Sequence, residues 1–156
     1  MRNYATQMEA ARKGIVTPEM QAVARKEYRT EEEIRELVAK GQVAICANRL
    51  HTCLDPNGVG SMLYTKINVN LGVSQDCKDY DIEMKKVMAA VDMGAHAIMD
   101  LSSHGNTQPF RRKLTQECPA MIGTVPVYDS VIHYQRDLAT LSAKDFIDVV
   151  RLHAED

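Results

Sequence analysis

Three side chains suited to holding a small polar ligand recur at equal spacing in the second half of the chain. Asn70, Met99 and Tyr128 follow one another at intervals of 29 residues, each near the end of a segment with strand character. A carboxamide can donate and accept hydrogen bonds, a thioether offers soft apolar contact, and a phenol can hydrogen-bond or stack. The set predicts a binding site for a small polar ligand. For Met99 or Tyr128 taken singly, a core residue or a helix-start residue is the simpler interpretation.

The strand that carries Asn70 alternates strictly over residues 64–71. Thr65, Ile67, Val69 and Leu71 fall on one face, and Tyr64, Lys66, Asn68 and Asn70 fall on the other. Asparagine is a poor strand former, so propensity alone does not account for the second face. Two interpretations stay open at this point. The segment is either the first strand of an α/β barrel with polar side chains at the barrel mouth, or an antiparallel strand with a solvated face.

The elements around this strand divide the chain into an N-terminal helical domain with a loop (residues 1–62) and a β/α region (residues 63–156). Helix starts are predicted at Thr17-Pro18 and at Thr30, a short strand at 43–45, and a turn-rich loop over 46–62. Strands predicted at 64–71, 95–101 and 120–125 then alternate with helices near 79–94, 107–117 and 129–135 and a last helix from 142. This rhythm predicts an α/β fold with a parallel sheet and right-handed crossovers. It fits the first three units of a (β/α)₈ TIM-type barrel, incomplete here because a closed barrel needs roughly 200–250 residues.

The last predicted helix reaches Asp156 without a Gly or Pro stop. We therefore expect the protein to continue beyond this residue, and to act as a homodimer or in association with the missing C-terminal part. On this helix His153 shares a face with Phe146, Val149 and Val150, so we expect its ring to pack against the sheet.

Composition limits the function classes. The chain is 156 residues long, 45% hydrophobic and 26% charged, with a net charge of −2. These values predict a soluble globular protein and give no electrostatic case for binding nucleic acid or a membrane. The N-terminus lacks a signal-peptide core and the cysteines lack close pairing, which predicts a cytoplasmic protein with free thiols.

Two further segments admit a binding interpretation. Cys46, His51 and Cys53 supply three soft metal ligands but no fourth, so free thiols are the better prediction. The loop over residues 102–107 precedes a helix and could cradle a phosphate on backbone N–H groups. A plain β–α loop with a helix cap is the interpretation we favour there.

The sequence also resembles a known family over nearly its whole length. The matching segments, in order, are Thr6-Gln7-Met8, Gly14 to Met20, Ala47-Asn48 with His51, Lys66 to Gly72, Met99 to Ser102, and Gly123 to Tyr128. They resemble the phosphomethylpyrimidine synthases, radical S-adenosylmethionine (SAM) lyases of thiamin biosynthesis. The resemblance implies a barrel that converts 5-aminoimidazole ribotide to 4-amino-5-hydroxymethyl-2-methylpyrimidine phosphate. It also implies that Asn70, Met99 and Tyr128 bind this substrate.

The same resemblance implies cofactors that this chain does not hold by itself. The full-length enzymes use SAM, a [4Fe–4S] cluster on a CxxCxxxxC motif and a further metal ion, expected to be zinc. The cysteines here, Cys46, Cys53, Cys77 and Cys118, do not form that motif. We expect no metal ligands among this chain's residues and no activity from the chain alone.

Two alternatives remain at the level of sequence. Departures from the common family pattern at residues 54–60 and 102–105 leave room for 5-hydroxybenzimidazole synthase of anaerobic cobamide biosynthesis, which uses the same substrate. A non-enzyme alternative is a standalone half-barrel that serves as a binding or assembly module. Continuation of the reading frame into further β/α units and the cysteine motif would favour an enzyme.

Overall fold

The chain forms two compact units in a computed structural model that describes residues 2–156. The first unit covers the chain up to Asn48 together with Asp55–Lys66, and the second covers Arg49–Leu54 and Ile67–Asp156. The division at residues 62/63 stays a prediction; the first unit ends at Lys66, and residues 49–54 group with the second unit. None of the helices in the described part of the chain is long and apolar enough to cross a membrane.

The first unit is a small helical domain closed by a two-stranded sheet. Its elements are α1 (Gln7–Arg12), α2 (Pro18–Lys26), α3 (Glu31–Ala39), β1 (Val43–Ile45) and β2 (Gly58–Gly60). The predicted helix starts are confirmed: Thr17 caps α2 with Pro at the first turn, and Thr30 and Glu33 form a capping box on α3. Buried apolar side chains from all three helices and β1 make one core, in which Met20, Val23 and Ile34 are fully buried.

The strand β2 corrects the prediction that residues 46–62 are a loop throughout. It pairs antiparallel with β1, Ile45 opposite Gly58 and Val43 opposite Gly60. Gly60 has φ +149°, and a Cβ there would lie 2.1 Å from the carbonyl oxygen of Gln42. Only glycine permits this approach, so Gly60 makes the strand pairing possible.

The second unit is an α/β layer with a three-stranded parallel sheet. Its elements are β3 (Asn68–Leu71), α4 (Tyr80–Asp92), β4 (Ala97–Asp100), α5 (Gln108–Glu117), β5 (Met121–Thr124), α6 (Pro126–Tyr134), a 3₁₀ turn (Leu138–Thr140) and α7 (Ala143–Glu155). The strand order is β3-β4-β5, with β4 in the middle. The core includes Val87, Ile98, Phe110 and Leu114, all fully buried. The predicted α/β class and parallel pairing are confirmed.

The strand through Asn70 is shorter than predicted. Ile67, assigned to the apolar core face, is 58% exposed, and Thr65 is also exposed. Lys66 does not continue the polar face of Asn68 and Asn70, because its ammonium pairs with Glu27 at 2.5 Å inside the first unit. The alternation thus holds only from Asn68 onward, since a buried ion pair rather than strand pairing fixes residue 66.

The helix after β5 starts earlier than expected. It begins at Pro126 rather than Asp129, with Val125 as its cap residue. Proline at the first helical position has a preorganised φ and lacks an N–H that would have no partner there.

Candidate ligand-binding site

One face of the parallel sheet brings two of the predicted ligand residues side by side. Asn70 and Met99 are cross-strand partners on β3 and β4, and Met99 is partnered by Gly123 on β5. The neighbouring residues Val69 and Ile98 belong to the core beneath the helices. Because side chains alternate along a strand, Asn70 and Met99 lie on the opposite face of the sheet.

The Asn70 carboxamide is held by its neighbour on the same face. Asn68 Nδ2 donates to Asn70 Oδ1 at 3.0 Å. Both side chains are exposed. This bond uses the oxygen of Asn70 as an acceptor and thereby orients its NH₂ group as the donor offered to a ligand.

The Met99 thioether crosses onto the third strand. A Cβ built on Gly123 would lie 2.7 Å from Met99 Cε and 2.8 Å from its sulfur. The absent side chain at position 123 therefore provides the room in which the thioether lies. This makes the sheet face a soft, apolar surface beside the Asn70 amide.

Tyr128 lies at the same edge of the sheet but outside this row. It is the third residue of α6, which follows the carboxyl end of β5, and it is 51% exposed. The helix-start interpretation therefore describes its location. Asn70, near the end of β3, and Tyr128, just after β5, both lie where the strands end, which is where parallel α/β folds bind ligands.

Sequence reasoning missed a buried carboxyl group at this edge. Asp100, the last residue of β4, accepts from the backbone N–H and the hydroxyl of Ser102 at 2.9 and 2.5 Å. Burial raises the pKa of Asp100 above its usual range, against the lowering effect of the Ser102 hydrogen bonds. Gly72 packs over this pair, because a Cβ there would lie 2.6 Å from the Ser102 nitrogen and 2.9 Å from the carboxylate.

The loop over residues 102–107 and the first residue of α5 use three N–H groups in hydrogen bonds within the chain. Ser102 N–H binds Asp100, Ser103 N–H binds the carbonyl of Val73 at 2.9 Å, and Gln108 N–H binds Asn106 Oδ1 at 3.3 Å. These donors are not offered to a phosphate. The plain-loop interpretation agrees with this geometry.

His51 and Cys53, which the sequence offered as possible metal ligands, make hydrogen bonds to the backbone instead. His51 Nε2 lies 2.6 Å from the carbonyl oxygen of Cys118, and the Cys53 thiol donates to the same oxygen at 3.3 Å. All four cysteines carry free thiols, and burial raises the pKa of Cys118. Residues 2–156 contain no cluster of three or more His, Cys, Asp or Glu side chains arranged to hold a metal ion.

His153 lies against the end of β5, in agreement with the expectation that it packs against the sheet, but its contacts are polar. Its Nδ1 lies 2.9 Å from Thr124 Oγ1 and its Nε2 lies 2.9 Å from Asp129 Oδ2. The ring is thus part of a buried polar cluster between β5, α6 and α7. Helical periodicity placed His153 on the inner face of α7 correctly but could not reveal polar partners contributed by distant segments.

Comparison with known proteins gives a consistent result. Residues 6–156 match the sequence profile described as the radical SAM ThiC family. The chain is 57% identical over 153 residues to a phosphomethylpyrimidine synthase of Alkaliphilus oremlandii, covering 98% of the chain and 35% of that protein. Proteins of the same name from Alkaliphilus metalliredigens and Pelotomaculum thermopropionicum are 56% and 55% identical over 154 residues, 99% of the chain and 35% and 36% of their own length. The chain thus spans about a third of the relatives it matches.

Proposed function

Because this chain belongs to the radical SAM ThiC family, we propose that it forms part of a phosphomethylpyrimidine synthase. In this proposal it contributes one wall of the pocket in which 5-aminoimidazole ribotide is converted to the hydroxymethylpyrimidine phosphate. The names of the relatives favour this product over 5-hydroxybenzimidazole.

The observation that carries the proposal is the pairing of Asn70 with Met99 at the C-terminal edge of the sheet. The oriented Asn70 amide suits an aminoimidazole nitrogen or a ribose hydroxyl. The Met99 thioether suits the face of the flat heterocycle, and the exposed phenol of Tyr128 suits stacking or a hydrogen bond. We assign substrate binding to these three residues and no proton transfer to any of them.

We further propose that β3, β4 and β5 are consecutive strands of a TIM-type barrel. Support comes from their parallel order and from the register that puts Asn70 beside Met99 and Met99 beside Gly123. In such a barrel the face bearing Asn70 would look inward and the core face would meet the outer helices. The free thiols support a cytoplasmic location, and a homodimer is the proposed assembly.

The family implies SAM and an iron–sulfur cluster, which together supply radical chemistry. The residues described here do not fit the cluster: the four cysteines show no CxxCxxxxC spacing, and no cluster of ligands occurs within residues 2–156. We therefore assign no step of the reaction to a metal on these residues, and zinc in the complete enzyme is likewise a proposal.

A chimeric enzyme tests the proposed function. This chain replaces the matched 153 residues of the Alkaliphilus oremlandii protein, and formation of the pyrimidine phosphate from the ribotide is measured. We expect an active chimera in which Asn70→Ala raises KM, because substrate groups left unpaired in the closed pocket of the complete enzyme cost roughly 1–3 kcal/mol. Gln75→Ala, which removes an exposed carboxamide on the loop after β3, is the matched control and should leave KM in place.

Two results would count against the proposal. A chimera that folds but makes no pyrimidine, or one that makes a benzimidazole, would contradict the assigned reaction. An active chimera in which Asn70→Ala and Gln75→Ala have the same KM would contradict the assigned site. A folded, inactive chimera that still binds the ribotide would favour the alternative of a binding module.

A further inference from the structure

The helix α6, which carries Tyr128, buries two polar side chains against the rest of the second unit. Its only buried residues are Asp129 and Ser130. The Ser130 hydroxyl donates to the Pro126 carbonyl of its own helix at 2.7 Å, so this hydrogen bond does not link α6 to another element. A short helix normally docks through apolar side chains, which tolerate sliding and rotation. Here the anchor is a carboxylate, and its position depends on hydrogen-bond directions.

Asp129 meets three partner residues from two other segments, α5 with its cap residue and α7. Thr107 Oγ1 donates to Oδ1 at 2.8 Å, while His153 Nε2 and Arg111 Nη1 approach Oδ2 at 2.9 and 3.4 Å. Burial acts to raise the pKa of Asp129, but the bonds from His153 and Thr107 and the charge of Arg111 outweigh it and hold the pKa below its usual range. The carboxylate is thus charged and fully engaged next to Tyr128.

The His153 imidazole joins the two ends of the turn that leads into α6. One nitrogen meets Thr124, the last residue of β5, and the other meets Asp129, the residue after Tyr128. Because a carboxylate only accepts, Nε2 carries the proton in the bond to Asp129. The ring side chain is 7% exposed and comes from α7, so it ties the turn to a third element.

We propose that His153 is a positioning residue for Tyr128, holding Thr124 and Asp129 at a fixed separation so that the intervening turn presents the phenol in one direction. This inference rests on the proposed function in taking Tyr128 as a substrate contact. It assigns His153 no contact with substrate. The role belongs to the imidazole as a two-ended bridge, which an apolar side chain of similar size cannot reproduce.

The test separates positioning from general stability. The ring signals of Tyr128 are followed by NMR in the full chain with ring-labelled tyrosine, assigned with Tyr128→Phe, and KM for the ribotide is measured in the chimera. His153→Leu removes both bridge bonds, and Thr124→Val removes one end of the bridge with little change of shape. Val149→Ala, a fully buried position on the same helix, is the control for lost stability without loss of the bridge.

We expect His153→Leu and Thr124→Val to shift the Tyr128 signals, and His153→Leu to raise KM on the order of tenfold, as small displacements in a site can do. His153→Gln, whose amide can still donate to Asp129, should give Tyr128 signals and a KM closer to the wild-type values than His153→Leu does. Val149→Ala should lower the melting temperature and leave both readings unchanged.

The proposal is overturned if His153→Leu leaves the Tyr128 signals at wild type, or if Val149→Ala shifts them equally. If the wild-type chimera makes no product, or if Tyr128→Ala leaves KM unchanged, it is the proposed function that fails. The Tyr128 signals still decide whether His153 positions the turn.

Discussion

Replacing Lys66 by Met should unfold the first unit at markedly lower denaturant concentration. The side chains of Lys66 and Glu27 are only 6% and 3% exposed, and their charged groups lie 2.5 Å apart. Glu27 also accepts the Tyr64 N–H at 2.8 Å, and Lys66 donates to the Tyr64 carbonyl at 2.7 Å. The pair therefore ties the end of α2 to residues 64–66.

The size of the effect follows from what Lys66→Met leaves behind. Removing one partner strands the Glu27 carboxylate in a buried position, which costs about 3–5 kcal/mol. A domain is stable by only about 5–15 kcal/mol, so this is a large fraction of the total. Glu27→Gln combined with Lys66→Met removes both charges, and should cost less than the sum of the two single changes.

The assay is urea denaturation followed by circular dichroism, with amide exchange in α2 to assign the transition to the first unit. Glu36→Gln is the matched control, because Glu36 and Lys40 form an ion pair whose side chains are 52% and 60% exposed. We expect the control to cost at most about 1 kcal/mol. The reasoning is refuted if Lys66→Met is as mild as Glu36→Gln, or if the two changes at the buried pair are additive.

Four further variants test other positions in the second unit. Leu114→Ala, at a fully buried position, should cost about 2–5 kcal/mol in urea denaturation, whereas Ile67→Ala should cost far less because its side chain is 58% exposed; equal costs would contradict the assigned core. Gly72→Ala places a Cβ 2.6 Å from the Ser102 nitrogen, at a residue whose φ is +146°. We expect it to lower the free energy of unfolding by about 1–3 kcal/mol. An unchanged unfolding midpoint would contradict this expectation. Asp100→Asn keeps the acceptor for Ser102; since burial raises the pKa of Asp100, the folded wild type loses stability as pH rises from the unfolded pKa through the folded one. The Asn variant should therefore melt above wild type at neutral pH, with a gap that closes in acid, and calorimetry showing the opposite slope would refute the assignment.

Local signals in the sequence predicted much of the fold. The caps at Thr17 and Thr30 depend on residues three positions apart, so they are visible without tertiary information. The 29-residue interval between Asn70 and Met99 matches the register of β3 and β4. The sequence spacing thus correctly indicated that Asn70 and Met99 lie side by side on neighbouring strands. The second interval does not continue this register, because Met99 pairs with Gly123 and Tyr128 lies in α6.

The errors arose where distant segments decide the environment. Glu27 and Lys66 are 39 residues apart, and their bond overrides the alternation that had placed Lys66 on the Asn70 face. Likewise, His153 meets partners 24 and 29 residues away. A periodic pattern reports which side of an element is buried, but it does not report whether the buried partner is a methyl group or a carboxylate.

The close approach of Met99 to Gly123 has a consequence for how this site can change over generations. A methyl group at position 123 would meet the flexible end of Met99 rather than rigid backbone, so the fold can absorb Gly123→Ala by moving the thioether. Position 123 can therefore tune the depth of the surface beside Asn70 while barely altering stability. We expect the side chains at positions 99 and 123 to covary in size among homologues, with a longer side chain at one position accompanying a shorter one at the other. A substitution at position 123 could then alter the size of ligand that the site accepts, although residue 123 itself does not contact the ligand.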